Sequence, residues 1–299
     1  ESPNYVDGQF QNLVATPRIV EGSRVSSFWN FFFSQKERPV PIDSIPTVKT
    51  DLKALDKNRD FVIWLGHSSY FIQFGGKKIL IDPVFSSSAA PVDFANRAFA
   101  GTSLYEAEDM PEIDYLLISH DHWDHLDYPT VMALKSKIKN VICGLGVGAY
   151  FEQWGFAGDI IHEADWYDSL EMDKDFIVHV LPARHFSGRL LSPNKTLWTS
   201  FALETQNKRI FYSGDGGYGP HFKEIRKMFN GFNLVILENG QYDKKWPYIH
   251  MMPEEVALAA DELNADALLP GHSGKFSIAN HAWDEPFKRI TEASKDKHY

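Results

Sequence analysis

From Phe61 onward, short apolar runs alternate with turn-forming residues. Phe61–Leu65 and Tyr70–Phe74 are rich in β-branched and aromatic residues, and a Gly75-Gly76 pair separates the second run from Lys78–Ile81, which closes on Asp82-Pro83. That pattern predicts a hairpin feeding a sheet. Asp114–Ser119, Phe176–Leu181, Leu197–Leu203, Arg209–Tyr212 and Leu234–Leu237 read as further short strands. Between them, Tyr128–Ile138, Val147–Trp154, His221–Phe229, Pro253–Leu263 and Trp283–Ser294 carry helical periodicity, and Pro253-Glu254-Glu255 suits a first helical turn. Strands and helices interspersed in both halves predict a layered α/β domain over residues 59–299, with helices covering the sheets.

Residues 1–58 differ. Pro3, Pro17, Pro39, Pro41 and Pro46 punctuate them without sustained periodicity, which predicts an irregular N-terminal wrap belonging to the same domain. Within it, Phe28-Trp29-Asn30-Phe31-Phe32-Phe33 precedes Gln35-Lys36-Glu37-Arg38. The segment suits a peripheral membrane contact, a homodimer contact, or simple packing on the core.

Composition narrows the classes. A chain of 299 residues with 43% hydrophobic content can bury a sizeable core without disulfide staples. Its single cysteine, Cys143, lies in an apolar segment and reads as a small buried hydrophobe. Thirty Lys plus Arg against forty Asp plus Glu give a net charge of −10, the wrong sign for binding a phosphate backbone, so no nucleic-acid partner is expected. No apolar run reaches the ~18 residues of a membrane span.

The chemistry concentrates in His120-Asp121-His122-Trp123-Asp124-His125, three imidazoles and two carboxylates of the loop placed directly after the apolar run Tyr115–Ser119. Imidazole and carboxylate donors without thiolate suit zinc, manganese or iron. One short loop of this composition can anchor a dinuclear centre. Four further polar residues follow strands in the same way: Asp82, His185, Asp215 and His272. Singly each is weak; together they gather where loops converge on one rim of a sheet.

In order and spacing these residues resemble the metallo-β-lactamase superfamily pattern of H-x-H-x-D-H, then His, Asp and His. Within it they resemble the branch of N-acylphosphatidylethanolamine-hydrolysing phospholipase D and its bacterial relatives. The residues that carry the resemblance are Trp64–Ser68, Asp82–Ser86, Ser119–Tyr128, Pro182–Arg189, Ser213–Asp215, His250–Glu255 and Trp283–Pro286. It implies an αββα sandwich, two mixed sheets packed face to face with helices outside. It also implies two divalent metal ions, zinc first and manganese or iron as alternatives: His120, His122 and His185 on one, Asp124, His125 and His272 on the other, Asp215 bridging. Ser2–Phe10 resembles the start of the soluble part of bacterial relatives, which often follows a hydrophobic anchor. With no initiator Met at position 1, a cell-envelope or membrane-associated location is the expectation, cytoplasm the alternative.

Two such cations acidify a bridging water and stabilise charge on a phosphoryl or carbonyl oxygen, so a hydrolase needs no side-chain nucleophile. Asp124 can orient the hydroxide while serving as a ligand. Imidazole ligands usually give their second N–H to a carboxylate or carbonyl, which makes Asp82 a candidate supporting residue and His67 another. The phospholipase resemblance places Trp123 and His250 beside the phosphate, with His250 as hydrogen-bond donor or general acid. Arg184 and Arg189, flanking His185, are candidates to pair with that phosphate. The expected activity is a phosphodiesterase of phospholipase D type. Alternatives are hydrolysis of a small soluble ester, lactone, lactam or sugar phosphate, or a non-catalytic or redox metal protein. Two segments depart from the phospholipase pattern, Glu238–Tyr242 and Gly271–Phe276, and both touch the expected pocket rim.

Overall fold

The structure, a computed structural model, describes residues 2–20, 38–92, 94–189 and 193–299. The aromatic segment Phe28–Phe33 lies outside the described residues. Two six-stranded mixed sheets face each other. The first runs in chain order: β3 (Phe61–Gly66), β4 (Ser69–Phe74), β5 (Lys77–Ile81), β6 (Tyr115–Ile118), β7 (Val141–Gly144) and β8 (Ile161–Ala164). The second comprises β9 (Ser169–Asp173), β10 (Phe176–Pro182), β11 (Thr199–Glu204), β12 (Arg209–Tyr212), β13 (Leu234–Glu238) and β14 (Leu268–Gly271). Each sheet begins with antiparallel pairs and ends parallel. Gly75 and Gly76 have φ of 57° and 77°, the positive values that a two-residue hairpin of primed type requires, and they join Phe74 to its register partner Lys77.

Side-chain alternation sorts residues into layers. Ile72, Ile79, Ile81, Leu117 and Ile142 of the first sheet meet Val178, Val180, Phe201, Leu203, Tyr212 and Ile236 of the second in one buried cluster. Their sequence neighbours point outward. Phe71, Leu80, Leu116, Ile118 and Val141 pack under helices Tyr128–Leu134 and Gly148–Gln153 through Val131, Leu134 and Phe151. Leu181, Ala202, Phe211, Val235 and Leu237 pack under helices His221–Phe229 and Pro253–Glu262 through Phe222, Ile225, Val256 and Ala260, and Ile290 of helix Glu285–Ala293 joins them. Strands buried on both faces explain the near-continuous apolar runs. The result is a four-layer αββα sandwich. Cys143 is fully buried on the outer face of the first sheet, and burial pushes its thiol pKa well up.

Among the described residues of the N-terminal wrap, one short stretch is regular. Tyr5–Val6 (β1) and Gln9–Phe10 (β2) form a small hairpin, and Phe10 is buried against Trp166, Ala183, Leu197 and Trp198. Strands β8 and β9 were not expected from the pattern because each edges its sheet, and the partly exposed residues His162, Glu163 and Ser169–Asp173 weaken their apolar signal.

Candidate metal centre

The C-terminal ends of β5, β6, β10, β12, β13 and β14 deliver polar residues to one rim of the sandwich. Backbone bends there are tight. His67, Asp82 and His272 adopt left-handed φ of 54°, 41° and 55°, a conformation that costs a non-glycine residue energy and clusters at functional sites. The ends of the two sheets are tied together at this point: His272 N–H donates to the His67 carbonyl at 3.0 Å, and His67 bridges Ser273. Gly271 must be glycine, since a Cβ there would meet the Tyr70 hydroxyl at 1.7 Å.

Two donor clusters lie side by side. In the first, His120 Nε2 is 2.9 Å and His185 Nε2 3.2 Å from His122 Nδ1. Tetrahedral zinc with Zn–N bonds of about 2.0–2.1 Å sets neighbouring nitrogens about 3.3 Å apart, so the trio is spaced for one ion. In the second, His272 Nε2 lies 3.2 Å from Asp124 Oδ2 and 3.1 Å from Asp215 Oδ2, and His125 Nε2 lies 3.6 and 3.2 Å from the same two atoms. Asp215 Oδ2 is also 3.9 Å from both His120 Nε2 and His185 Nε2, a position between the clusters.

The opposite ring nitrogens are anchored, which fixes the faces presented. His125 Nδ1–H donates to Asp82 Oδ2 at 2.8 Å, His185 Nδ1–H to the Ile249 carbonyl at 2.8 Å, and His120 Nδ1–H to Ser119 Oγ at 3.0 Å. Asp82 is fully buried and also accepts from Ser119 N–H, Ser119 O–H and Tyr212 O–H. His67 Nε2–H donates to Asp124 Oδ2 at 2.9 Å.

Burial makes these charges expensive, on the order of several kcal/mol for a carboxylate left unpaired. Burial alone would raise the Asp215 and Asp124 pKa values, yet His125, with His272 beside it, pulls both well below the usual carboxylate range. Reciprocally, burial opposes charge on His272 but Asp215, Asp124 and Glu238 outweigh it and push its pKa up to about 10; His125 is likewise raised well above its ordinary value. In the trio burial wins. It lowers His120 and His185 well below the usual range and His122 to about 4. His125 Nε2 and Asp215 Oδ1 are buried and lack hydrogen-bond partners among the described residues. Orphaned donors, metal-like spacing and a thiolate-free set fit divalent cations.

His122, Asp124, His185, Asp215, His250 and His272 line a cavity of about 360 Å³, whose other walls include Arg18, Ile19, Phe186, Trp246, Ile249 and Ile278. His250 Nδ1–H donates to Glu238 Oε2 at 2.7 Å. Trp123, Arg184 and Arg189 are not among the described residues that line this cavity. Arg189 donates to the backbone carbonyls of Asp121 (2.5 Å) and Leu126, and its guanidinium stacks 4.1 Å from the Trp123 ring centre. Neither lines the cavity. Arg184 is spent on the Tyr218 and Ala15 carbonyls and stacks on Tyr248. Adjacency to His185 in sequence says nothing of where a long side chain turns.

Sequence reasoning put Glu238 on the pocket rim without a role; it accepts from His250 and from Met251 N–H and sits 3.3 Å from His272 Nδ1. Its signal was a carboxylate ending a strand on this rim. Gln241, from the same segment, likewise had no role read for it: its amide accepts from Ile278 and Ala279 N–H and donates to the His272 and Phe276 carbonyls, which holds the His272 loop.

Residues 77–273 match the family model described as beta-lactamase superfamily domain. The chain is 36% identical over 303 residues to an uncharacterized protein of Mycobacterium tuberculosis, covering 100% of this chain and 81% of that protein. It is 31% identical over 246 residues to N-acyl-phosphatidylethanolamine-hydrolyzing phospholipase D 1 of Caenorhabditis elegans, covering 78% of this chain and 69% of the relative. Among solved structures, a metallo hydrolase of the archaeon Ignicoccus hospitalis matches with a TM-score of 0.58 at 18% identity, over 78% of this chain and 91% of that one, a likeness of fold.

Proposed function

The chain belongs to the beta-lactamase superfamily and is a metal-dependent hydrolase, and on that premise we propose that it is a dinuclear phosphodiesterase of phospholipase D type acting on N-acylphosphatidylethanolamine-like lipids. The observation that carries this reading is a single cavity in which five of the seven donor residues, His122, Asp124, His185, Asp215 and His272, face an apolar wall of Ile19, Phe186, Trp246, Ile249 and Ile278, an environment suited to an amphiphile whose polar group is the one cut. The relationship to the nematode phospholipase supports it.

In this reading His120, His122 and His185 would hold one divalent cation and Asp124, His125 and His272 the other, with Asp215 within reach of both; zinc suits the donors, as do manganese and iron. When bound, the pair acidifies water and neutralises charge developing on the phosphoryl oxygens. The protein's own share is orientation and proton handling. Asp82 locks the His125 ring, Ile249 locks His185, and Asp124 accepts a hydrogen bond from the attacking water. His250, with Nδ1 held on Glu238, presents Nε2 to the leaving oxygen and hands it a proton, while Glu238 stabilises the imidazolium. His67, donating to Asp124, keeps that carboxylate turned inward.

A second reading keeps the same centre and exchanges the substrate. At about 360 Å³ the cavity lies near the lower end of the roughly 300–1,000 Å³ of ligand pockets, room for a headgroup or a small soluble ester, lactone or sugar phosphate. Product analysis separates the two. Metal-loaded protein offered N-acylphosphatidylethanolamine in mixed micelles should release N-acylethanolamine and phosphatidate; no cleavage of any phospholipid, with turnover of a soluble ester, would establish the second reading.

A further inference from the structure

A second chain of nucleophilic and titratable groups crosses the outer face of the second sheet, away from the donor cluster. Ser169 Oγ is 2.7 Å from His179 Nδ1, His179 Nε2 is 2.9 Å from Glu204 Oε2, and Arg209 Nε donates to Glu204 Oε1 at 2.6 Å. The four residues come from four neighbouring strands, β9 to β12. Val178 and Val180 enter the cluster between the sheets, so alternation turns His179 to the other face, where its ring packs at 4.9 Å on Phe229 of helix His221–Phe229. Glu204 ends β11 and Arg209 begins β12, at the end of the sheet opposite the one that delivers Asp215.

The direction of these bonds matters. Burial raises the Glu204 pKa, yet the bonds from Arg209 and His179 outweigh it and hold the carboxylate below its usual range. An ionised carboxylate only accepts, so His179 Nε2–H donates to Glu204 and the neutral ring turns its Nδ1 lone pair to the Ser169 hydroxyl. Ser169 itself is exposed and lies on β9, the edge of its sheet. Val180 N–H donates to the Asp168 carbonyl at 2.9 Å, which makes Asp168 and Val180 a bonded pair and Ser169 and His179 the next, non-bonded one. Pairs of that kind bring side chains together, and their N–H groups point away from the partner strand, here toward the open edge. A polar ladder stabilises a sheet by about 0.2–1 kcal/mol per pair whichever way its protons point. Here they run from an exposed hydroxyl through an imidazole to a carboxylate, the order in which a serine nucleophile is activated.

We propose that Ser169 and His179, with Glu204 as the positioning residue, form a second catalytic site that takes the acyl group of a small carboxylic ester at the open edge of β9. Ser169 Oγ attacks the carbonyl carbon while its proton passes to His179 Nδ1, and the Ser169 N–H faces the oxyanion that forms. The bond from carbon to the alkoxy oxygen then breaks, and the leaving oxygen takes the proton from Nδ1. Water attacks the acyl-serine by the same route, releasing the carboxylic acid and restoring the hydroxyl. No metal enters these steps, so the site stands whether or not the donor cluster cuts phosphodiesters.

Covalent labelling tests this directly. Metal-loaded protein is treated with an alkyl fluorophosphonate, which forms a stable Oγ–P bond and releases fluoride, and separately with 4-nitrophenyl acetate; the modified residue is mapped by peptide mass spectrometry. Both reagents should mark Ser169. The fluorophosphonate rate should fall at least ~100-fold in His179→Ala, the lower end of what a general base supplies, and recover when free imidazole is added. Glu204→Gln should slow it and Glu204→Asp restore part of the loss, with the zinc content of every variant unchanged. Absence of either modification from Ser169 in the wild type would overturn the proposal, a result that needs no variant to fold. Equal labelling of the wild type and His179→Ala would overturn it too.

Discussion

The two halves of the donor cluster share a rim and differ in how they handle charge. In the imidazole trio, burial dominates and the rings stay neutral: His120 and His185 fall well below their ordinary pKa, His122 to about 4. A few ångström away, two carboxylates have drawn protons onto His125 and His272. Both halves are equally dry, so dielectric is not the cause. The difference lies in how closely carboxylates approach, 3.1–3.6 Å at His125 and His272 Nε2 against 3.9 Å at His120 and His185 Nε2, and it means that the protein without metal already gathers positive charge where the second cation would sit. One half offers lone pairs ready to bind; the other must first give up protons.

Asp215 is the residue whose loss should blur this comparison most. Its Oδ2 reaches both clusters, so Asp215→Ala should weaken binding at both and depress hydrolysis by at least ~10³-fold, the scale on which a metal-supplied nucleophile operates. Steady-state turnover of Asp215→Ala beside the wild type, each at saturating zinc, checks it; a loss of less than tenfold would make the shared position illusory.

Titration sharpens the contrast without mutation. With His272 near 10 and His125 also raised, filling the carboxylate half at pH 8 should displace at least one proton, whereas filling the trio should displace none. Zinc titrations in two buffers of different ionisation enthalpy count them. The sign for stability follows. A histidine raised from about 6.5 to about 10 contributes stability that is fully present below 6.5 and is lost as pH rises through 10. Metal-free protein should therefore soften between pH 7 and 10 in thermal melts, and metal-loaded protein should not.

Asp82 tests orientation alone, and its effect should be smaller. Asp82→Asn keeps shape but weakens the hold on His125 Nδ1, and losses of metal affinity of roughly 10–100-fold are typical for such supporting groups. The loss should fall on the carboxylate half; a competition titration against a chelator that found both halves equally weakened would contradict the separation.

The trio and its neighbours were unequally legible in the sequence. His120 to His125 announce themselves because the ligands are adjacent and follow an apolar strand. His185, Asp215 and His272 could be found because strand ends in an α/β sandwich share a rim, and alternation within Tyr115–Ile118 or Leu234–Glu238 gives the layers directly. Glu238 and Gln241 could be placed on the pocket rim but given no role, because their partners are distant in sequence: Gln241 serves residues 31 to 38 positions away. Arg189 misled for the converse reason, as its neighbour in sequence is not its partner in space. Strands β8 and β9 were faint since an edge buries only half of what a central strand does.

Metal counting is the most direct test of the claim that these are two sites and not one. Protein saturated with zinc and passed through a desalting column, then measured by elemental mass spectrometry, should hold two ions per chain in the wild type and one in both His185→Ala and His272→Ala. One ion in the wild type, or two in either variant, would contradict it.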